Sequence, residues 1–136
     1  MGDLSKHYSR YEFACKGTFC NCHQNTVDVK LIDILEVLHR HYDIEYGECH
    51  VKIISGNRCK KHNSTIPGAS PTSTHLDSKA ADVVVYYNLF DGRKYISTSD
   101  IHEFLITHFK DKFCFIKHLT FNHIDCRDVA YRLIVE

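Results

Sequence analysis

The sequence carries no net charge, with 17 Lys and Arg against 17 Asp and Glu over 136 residues. A nucleic-acid binder ordinarily presents a strongly basic face, so this balance argues against a nucleic-acid partner, leaving only a local basic pair at Lys60 and Lys61. Long apolar runs are also missing. Met1 to Tyr8 has none of the roughly 7–15 apolar residues of a secretory signal. No stretch approaches the ~20 apolar residues of a membrane span. The expectation is a soluble chain made in a cytosol, which needs another route of delivery if it acts outside. Repeats, low-complexity tracts and long linkers are absent too, so residues 1–136 read as one domain. A domain of this size buries roughly two-thirds of its unfolded surface and needs no disulfides to fold.

Histidine and cysteine, by contrast, are plentiful, at 11 and seven. Seven is odd, so a purely disulfide-bonded framework would leave one thiol unpaired, and a cytosol keeps thiols reduced. Both residue types are zinc ligands, which raises a metal hypothesis without locating the metal.

Val27, Leu31, Ile34, Leu35, Leu38 and Tyr42 recur at helical spacing and predict a helix over 27–42, with Asn25 or Thr26 as its cap. Val51 to Ser55 reads as a strand ended by Gly56. Asn57 to Ser78 is a long polar loop, a length that in compact domains is often functional. Ala80 to Tyr87 is β-branched and apolar, hence a buried strand, and the Tyr86–Tyr87 pair is expected to pack within it. Asp100 to His108 reads as a second helix, with Asp100 and Glu103 spaced as a capping box. Strands are expected at 113–116, 121–126 and 130–135. Two main helices with several strands, in no strict alternation, predict a small α+β domain with a mainly antiparallel sheet.

His75 and Asp82 are seven residues apart. On a helix they would share a face but lie about 10.5 Å apart along the axis, too far for one metal. The chain must therefore double back between them, and Asp77 and Ser78 are turn-forming. His123, on a later strand, can supply a third ligand. Two histidines and a carboxylate leave a fourth zinc position for water, which the metal would acidify. Spacing by itself does not single out these three residues among so many histidines and acids.

Ordered motifs do. The run Ser55-Gly56-Asn57-Arg58-Cys59-Lys60-Lys61-His62-Asn63 is followed by Ser73-Thr74-His75 and Ala80-Ala81-Asp82. Tyr8-Ser9-Arg10-Tyr11-Glu12-Phe13-Ala14-Cys15 opens the chain and Phe121-Asn122-His123-Ile124-Asp125-Cys126-Arg127 closes it. Together they resemble the zinc D-Ala-D-Ala carboxypeptidase family in its compact, often phage-borne members. That family reads S-G-x-R-x-x-x-H-N, S-x-H, A-x-D and F-V-H-x-D-x-R. The resemblance implies the fold shared by these peptidases and Hedgehog-type domains. It implies zinc on His75, Asp82 and His123, with substrate contacts from Arg58 and Ser73. The implied substrates are bacterial peptidoglycan peptides, either D-alanyl-D-alanine ends or stem and cross-link peptides. The alternative is a catalytically inactive zinc-containing binding or virion structural module of the same fold.

The departures from the pattern matter. Several branches of the family carry an acidic base three residues before the last zinc histidine, where this chain has Thr120. Asp125 faces the same side of a strand as His123 and serves either as base or as a group that orients His123. His118 is a second candidate base. Ser78 stands where relatives often have Gly, a substitution that matters only if φ is positive. Relatives are often Gly-rich before the last histidine, whereas here the stretch is Phe113-Cys114-Phe115-Ile116-Lys117-His118.

Cys15, Cys20 and Cys22 fall within eight residues. With Cys59, suggested by the resemblance, they could hold a second, structural zinc that ties the N-terminus to the Arg58 loop. The alternatives are a disulfide or reduced thiols packed as small hydrophobes. Cys49, Cys114 and Cys126 are expected in the core. His62 and Asn63 are expected to fix the loop, and His39, His41, His102 and His108 to be solvated.

Overall fold

The computed structural model describes residues 2–17, 20, 22, 24–67, 69–70, 73–76 and 78–135. A 3-10 turn at Arg10–Phe13 precedes helix α1 (Val29–Tyr46), strand β1 (Cys49–Ser55) and the short helix α2 (Lys60–Asn63). Strands β2 (Ala80–Leu89) and β3 (Gly92–Tyr95) follow, then helix α3 (Thr98–His108). The chain ends in β4 (Cys114–Lys117), β5 (Asn122–Asp125) and β6 (Tyr131–Ile134). The strands form one sheet in the order β1-β2-β5-β4-β6, with β3 also paired to β2. All pairings are antiparallel except the parallel β4–β6 contact. This is the α+β fold expected.

The apolar stripe of α1 (Leu31, Ile34, Leu35, Leu38 and Tyr42) is fully buried, in one cluster with Ile101 and Leu105 of α3. The sheet contributes Ile53, Val83, Val85, Phe115 and Ile124 to the same cluster. Burying each such aliphatic side chain stabilises the fold by about 1.5–3 kcal/mol. Strand periodicity then decides where the polar residues go. Ala81, Val83 and Val85 alternate into the core, so Asp82 turns to the opposite face. On β5 Ile124 points inward, and His123 and Asp125 share the face with Asp82. The β2–β5 register sets Asp82 directly opposite His123.

Several boundaries differ from the sequence reading, for local reasons. Helix α1 starts at Val29, because Asp28 rather than Asn25 or Thr26 caps it, its carboxylate accepting the Lys30 amide at 2.8 Å. It runs on to Tyr46, which stacks on Tyr87 at 4.9 Å, and ends at Gly47, whose φ of 83° is left-handed. Helix α3 starts at Thr98 because Ser97 Oγ accepts the Asp100 amide. The Asp100 carboxylate instead accepts the Tyr42 hydroxyl at 2.8 Å, which ties the two helices together. The polar loop after Gly56 contains α2, and the β2–β3 hairpin was not anticipated. His39 and His102, expected in solvent, are 7% and 6% exposed. Both lie on the inward stripes of their helices, and His39 stacks on His7 at 3.8 Å. Cys49, Cys114 and Cys126 are buried as expected.

Gly56 is where the N-terminal segment meets the sheet. A Cβ there would come within 2.7 Å of Phe13 Cα. Glycine permits the close approach that lets the Asn57 amide donate to the Phe13 carbonyl at 2.8 Å. No helix among the described residues is long and apolar enough to cross a membrane.

Candidate metal centre

His75 sits in the turn that leads into β2, as the doubling-back argument required; Asp77, the other turn-former invoked, lies outside the described residues. Its Nδ1 is 2.7 Å from the Gly56 carbonyl oxygen, so Nδ1 carries the proton and donates it there. That leaves Nε2 as a bare lone pair. Nε2 is buried, has no hydrogen-bond partner among the described residues, and lies 3.4 Å from Asp82 Oδ2. His123 presents Nδ1 at 2.9 Å from Asp82 Oδ1 and Nε2 at 3.0 Å from Asp125 Oδ2. Ligand-type atoms of His75, Asp82 and His123 all lie within 4.8 Å of one another. Tetrahedral zinc with N and O ligands at about 2.1 Å spaces those ligands about 3.4 Å apart. An unpartnered imidazole nitrogen, a carboxylate and a second imidazole at these separations fit such an ion.

The electrostatics agree. Burial alone would raise the Asp82 carboxyl, but the adjoining His123 and His75 rings outweigh it and hold the group well below the usual carboxylate range. Burial alone would lower His123, but Asp125 and Asp82 on either side raise it to about 9. Burial also opposes ionisation of Asp125, and here His123 and Arg127 prevail and lower it. The pocket thus holds two ionised carboxylates around one ring and favours a cation.

Asp125 is fully buried. Its Oδ1 accepts the Arg127 amide and Nε at 3.2 and 3.1 Å, and its Oδ2 also accepts the Thr74 hydroxyl at 3.3 Å. His118 follows β4, with its ring stacked on Phe121 at 4.2 Å. Burial lowers its pKa; the Asp82 charge counters this and the His123 charge adds to it. Thr120, at the position of the absent acid, is exposed.

Arg58 is 9% exposed. Its Nη1 donates to Asn63 Oδ1 at 3.0 Å, while Nε has no partner among the described residues. The Arg58 amide donates to the His75 carbonyl, joining the arginine to the histidine turn. Asn63 and Leu76 help line a groove of about 370 Å³ beside it. Ser73 Oγ accepts the His75 amide at 3.3 Å. Ser78 has φ 61°, the left-handed conformation that favours glycine. Its hydroxyl is held by Thr26 Oγ1 at 2.7 Å and by Asn57 Nδ2 at 2.6 Å, bonds a glycine cannot make.

Three supporting groups escaped the sequence reading: the Gly56 carbonyl, Thr74 and Arg127. Thr74 and Arg127 stood inside quoted motifs, and their proximity to the ligands was the available signal. A backbone carbonyl has no sequence signal at all. Cys15, Cys20, Cys22 and Cys59 come together in a separate group.

Two histidines and a carboxylate, gathered from two paired strands and the turn before them and lying near a buried arginine, are of the kind that metallohydrolases use. A family model described as Peptidase M15 matches residues 6–125. The chain belongs to that family, whose members are zinc-dependent metallopeptidases. No curated protein and no solved structure gave a match.

Proposed function

We propose that the protein is a zinc peptidase of bacterial peptidoglycan, with His75 Nε2, the Asp82 carboxylate and His123 Nδ1 as the metal ligands. The observation that carries this reading is the buried His75 Nε2, without a hydrogen-bond partner among the described residues, aimed at Asp82 and locked in its tautomer by the Gly56 carbonyl. Bound zinc supplies Lewis acidity, lowering the pKa of a water and polarising the scissile carbonyl.

The remaining work falls to the protein's own side chains. Asp125 holds the His123 Nε2 proton, which fixes the ring with Nδ1 facing Asp82. Both of its oxygens are occupied and it has no exposed surface, so it acts as a positioning residue rather than as the base. His118 is half-buried and kept neutral near pH 7 by burial, so its imidazole can accept a proton from the attacking water. Arg58 offers a desolvated guanidinium whose Nε–H has no partner among the described residues, suited to a carboxylate. That favours a free chain end, and hence carboxypeptidase cleavage of D-alanyl-D-alanine termini over cleavage inside a stem peptide. Ser73 holds the His75 amide and keeps its hydroxyl proton for a substrate carbonyl.

The test is to incubate zinc-loaded protein with purified peptidoglycan and with defined stem peptides, and to identify the products by mass spectrometry. Released D-alanine, lost in His75→Ala, is the expected result. Products cut within the stem would transfer the reading to an endopeptidase. Zinc binding without cleavage of any wall substrate would overturn it in favour of a catalytically silent binding module.

A further inference from the structure

The four clustered cysteines come from two distant segments. Cys15, Cys20 and Cys22 follow the 3-10 turn, and Cys59 is the N-cap of α2. Cys15 Sγ lies 3.8 Å from Cys20 Sγ and 3.9 Å from Cys59 Sγ, and Cys20 Sγ lies 3.5 Å from Cys22 Sγ. All four sulfurs fall within 4.8 Å of one another.

Three explanations compete. A disulfide would hold two sulfurs about 2.0 Å apart, and all seven cysteines are free thiols. Packing as small hydrophobes suits the buried Cys49, Cys114 and Cys126, but Cys22 is exposed and Cys20 half-exposed, so burial does not explain why they converge. Tetrahedral zinc with four thiolates at about 2.3 Å requires sulfurs about 3.8 Å apart along each edge. The observed separations bracket that edge.

The surroundings hold these sulfurs in place. The His62 amide donates to Cys59 Sγ at 3.3 Å and fixes that sulfur at the start of α2. The Cys15 amide donates to the Gln24 carbonyl at 2.6 Å and closes the cysteine loop at its base. Gly17 packs directly on α2, where a Cβ would meet the His62 ring at 2.7 Å.

We propose that Cys15, Cys20, Cys22 and Cys59 form a tetrathiolate structural zinc site, separate from the histidine–aspartate centre. Its consequence is positional. Cys59 is adjacent to Arg58 and opens the helix that carries Asn63, the partner of Arg58. The ion pins the N-terminal segment to the start of α2 and so sets where the Arg58 guanidinium stands. The site does not depend on the peptidase reading.

Zinc content measured by plasma mass spectrometry on protein purified under reducing conditions tests both centres separately. Two equivalents per chain are expected for the parent. One is expected for His75→Ala/His123→Ala, and one for Cys20→Ser/Cys22→Ser. Cobalt substituted into His75→Ala/His123→Ala is expected to show thiolate-to-metal charge transfer and intense tetrahedral bands. Cobalt-loaded parent protein should show the same features, which guards against misfolding of the variants. If neither sample shows thiolate absorption, or if alkylation mass spectrometry finds a disulfide among these four residues, the proposal is overturned. A parent protein that holds a single equivalent and shows thiolate absorption would instead count against the histidine–aspartate centre alone.

Discussion

Paired strands carry two of the three residues of the His75–Asp82–His123 group, whereas Cys15, Cys20, Cys22 and Cys59 stand on loops and a helix cap. The difference separates two uses of ligand-type side chains. Asp82 and His123 are direct cross-strand neighbours held by the β2–β5 ladder, and the Gly56 carbonyl fixes His75. Such a site is organised before any ion arrives, as chemistry at the ion requires. The cysteine loop has the Cys15–Gln24 closure and the contact with His62 but, among the described residues, no sheet partner. There the proposed ion would contribute the structure itself.

The sharpest way to break this comparison is to remove one ligand from each group. His123→Ala should reduce cleavage to background while circular dichroism shows the sheet intact. Cys59→Ser should do the reverse. It should destabilise the fold by about 2–4 kcal/mol, a melting-temperature loss of roughly 10 °C. Its kinetic effect should fall mainly on KM, through Arg58. Equal melting losses in the two variants would erase the distinction.

A smaller effect sharpens the account of the strand-built site. Asp125→Asn should lower kcat/KM by about 10–100-fold, as expected for a group that orients a ligand, and leave the acid limb of the pH–rate profile in place. His118→Gln should remove that limb. If the limb instead vanishes in Asp125→Asn, Asp125 is the base.

Smaller still is the seam at Ser78. Its left-handed φ costs about 1–2 kcal/mol, and its two side-chain hydrogen bonds return about 0.5–1.5 kcal/mol each. Ser78→Ala keeps the cost and loses the bonds, so chemical denaturation should show a loss of about 1–3 kcal/mol. Ser78→Gly sheds the cost as well and should stay within about 1 kcal/mol of the parent. The opposite order would show that the bonds contribute nothing.

The smallest expected effect lies in the core, away from both clusters. His102 has a lowered pKa, chiefly through burial and then through the nearby Arg132 and Lys117 charges. The unfolded state therefore takes up this proton more readily than the folded state. The contribution of His102 to stability is complete above the unfolded value near 6.5 and is lost as pH falls through that value toward the folded pKa. His102→Gln should flatten the fall in melting temperature between pH 7.5 and 5.5. An unchanged slope would remove His102 from the acid response.

Periodicity made both long helices and every strand except β3 legible, because one apolar face per element is written directly in residue spacing. Their ends were less legible. Asp28 and Ser97 won the capping positions over Asn25, Thr26 and Asp100, a contest decided by where the chain enters each helix. His39 and His102 were misread because a polar residue on an inward stripe looks solvated when its residue type is weighed alone. In the candidate centre, the ligand-type side chains and Asp125 could be read from ordered motifs, and the Gly56 carbonyl, a backbone group, could not.

By itself the sequence determined the α+β class and the core stripes, since these follow from residue type and local spacing, whereas the two sets of ligand-type residues were picked out by ordered motifs and the family resemblance. Only the tertiary structure decided the rest. The β2–β5 register sets Asp82 against His123, the Gly56 carbonyl selects the His75 tautomer, and Arg127 and His123 between them occupy Asp125. Cys59 reaches Cys15 across 44 residues. Each of these is a meeting of distant segments, set by how the sheet and loops pack and not by any local preference.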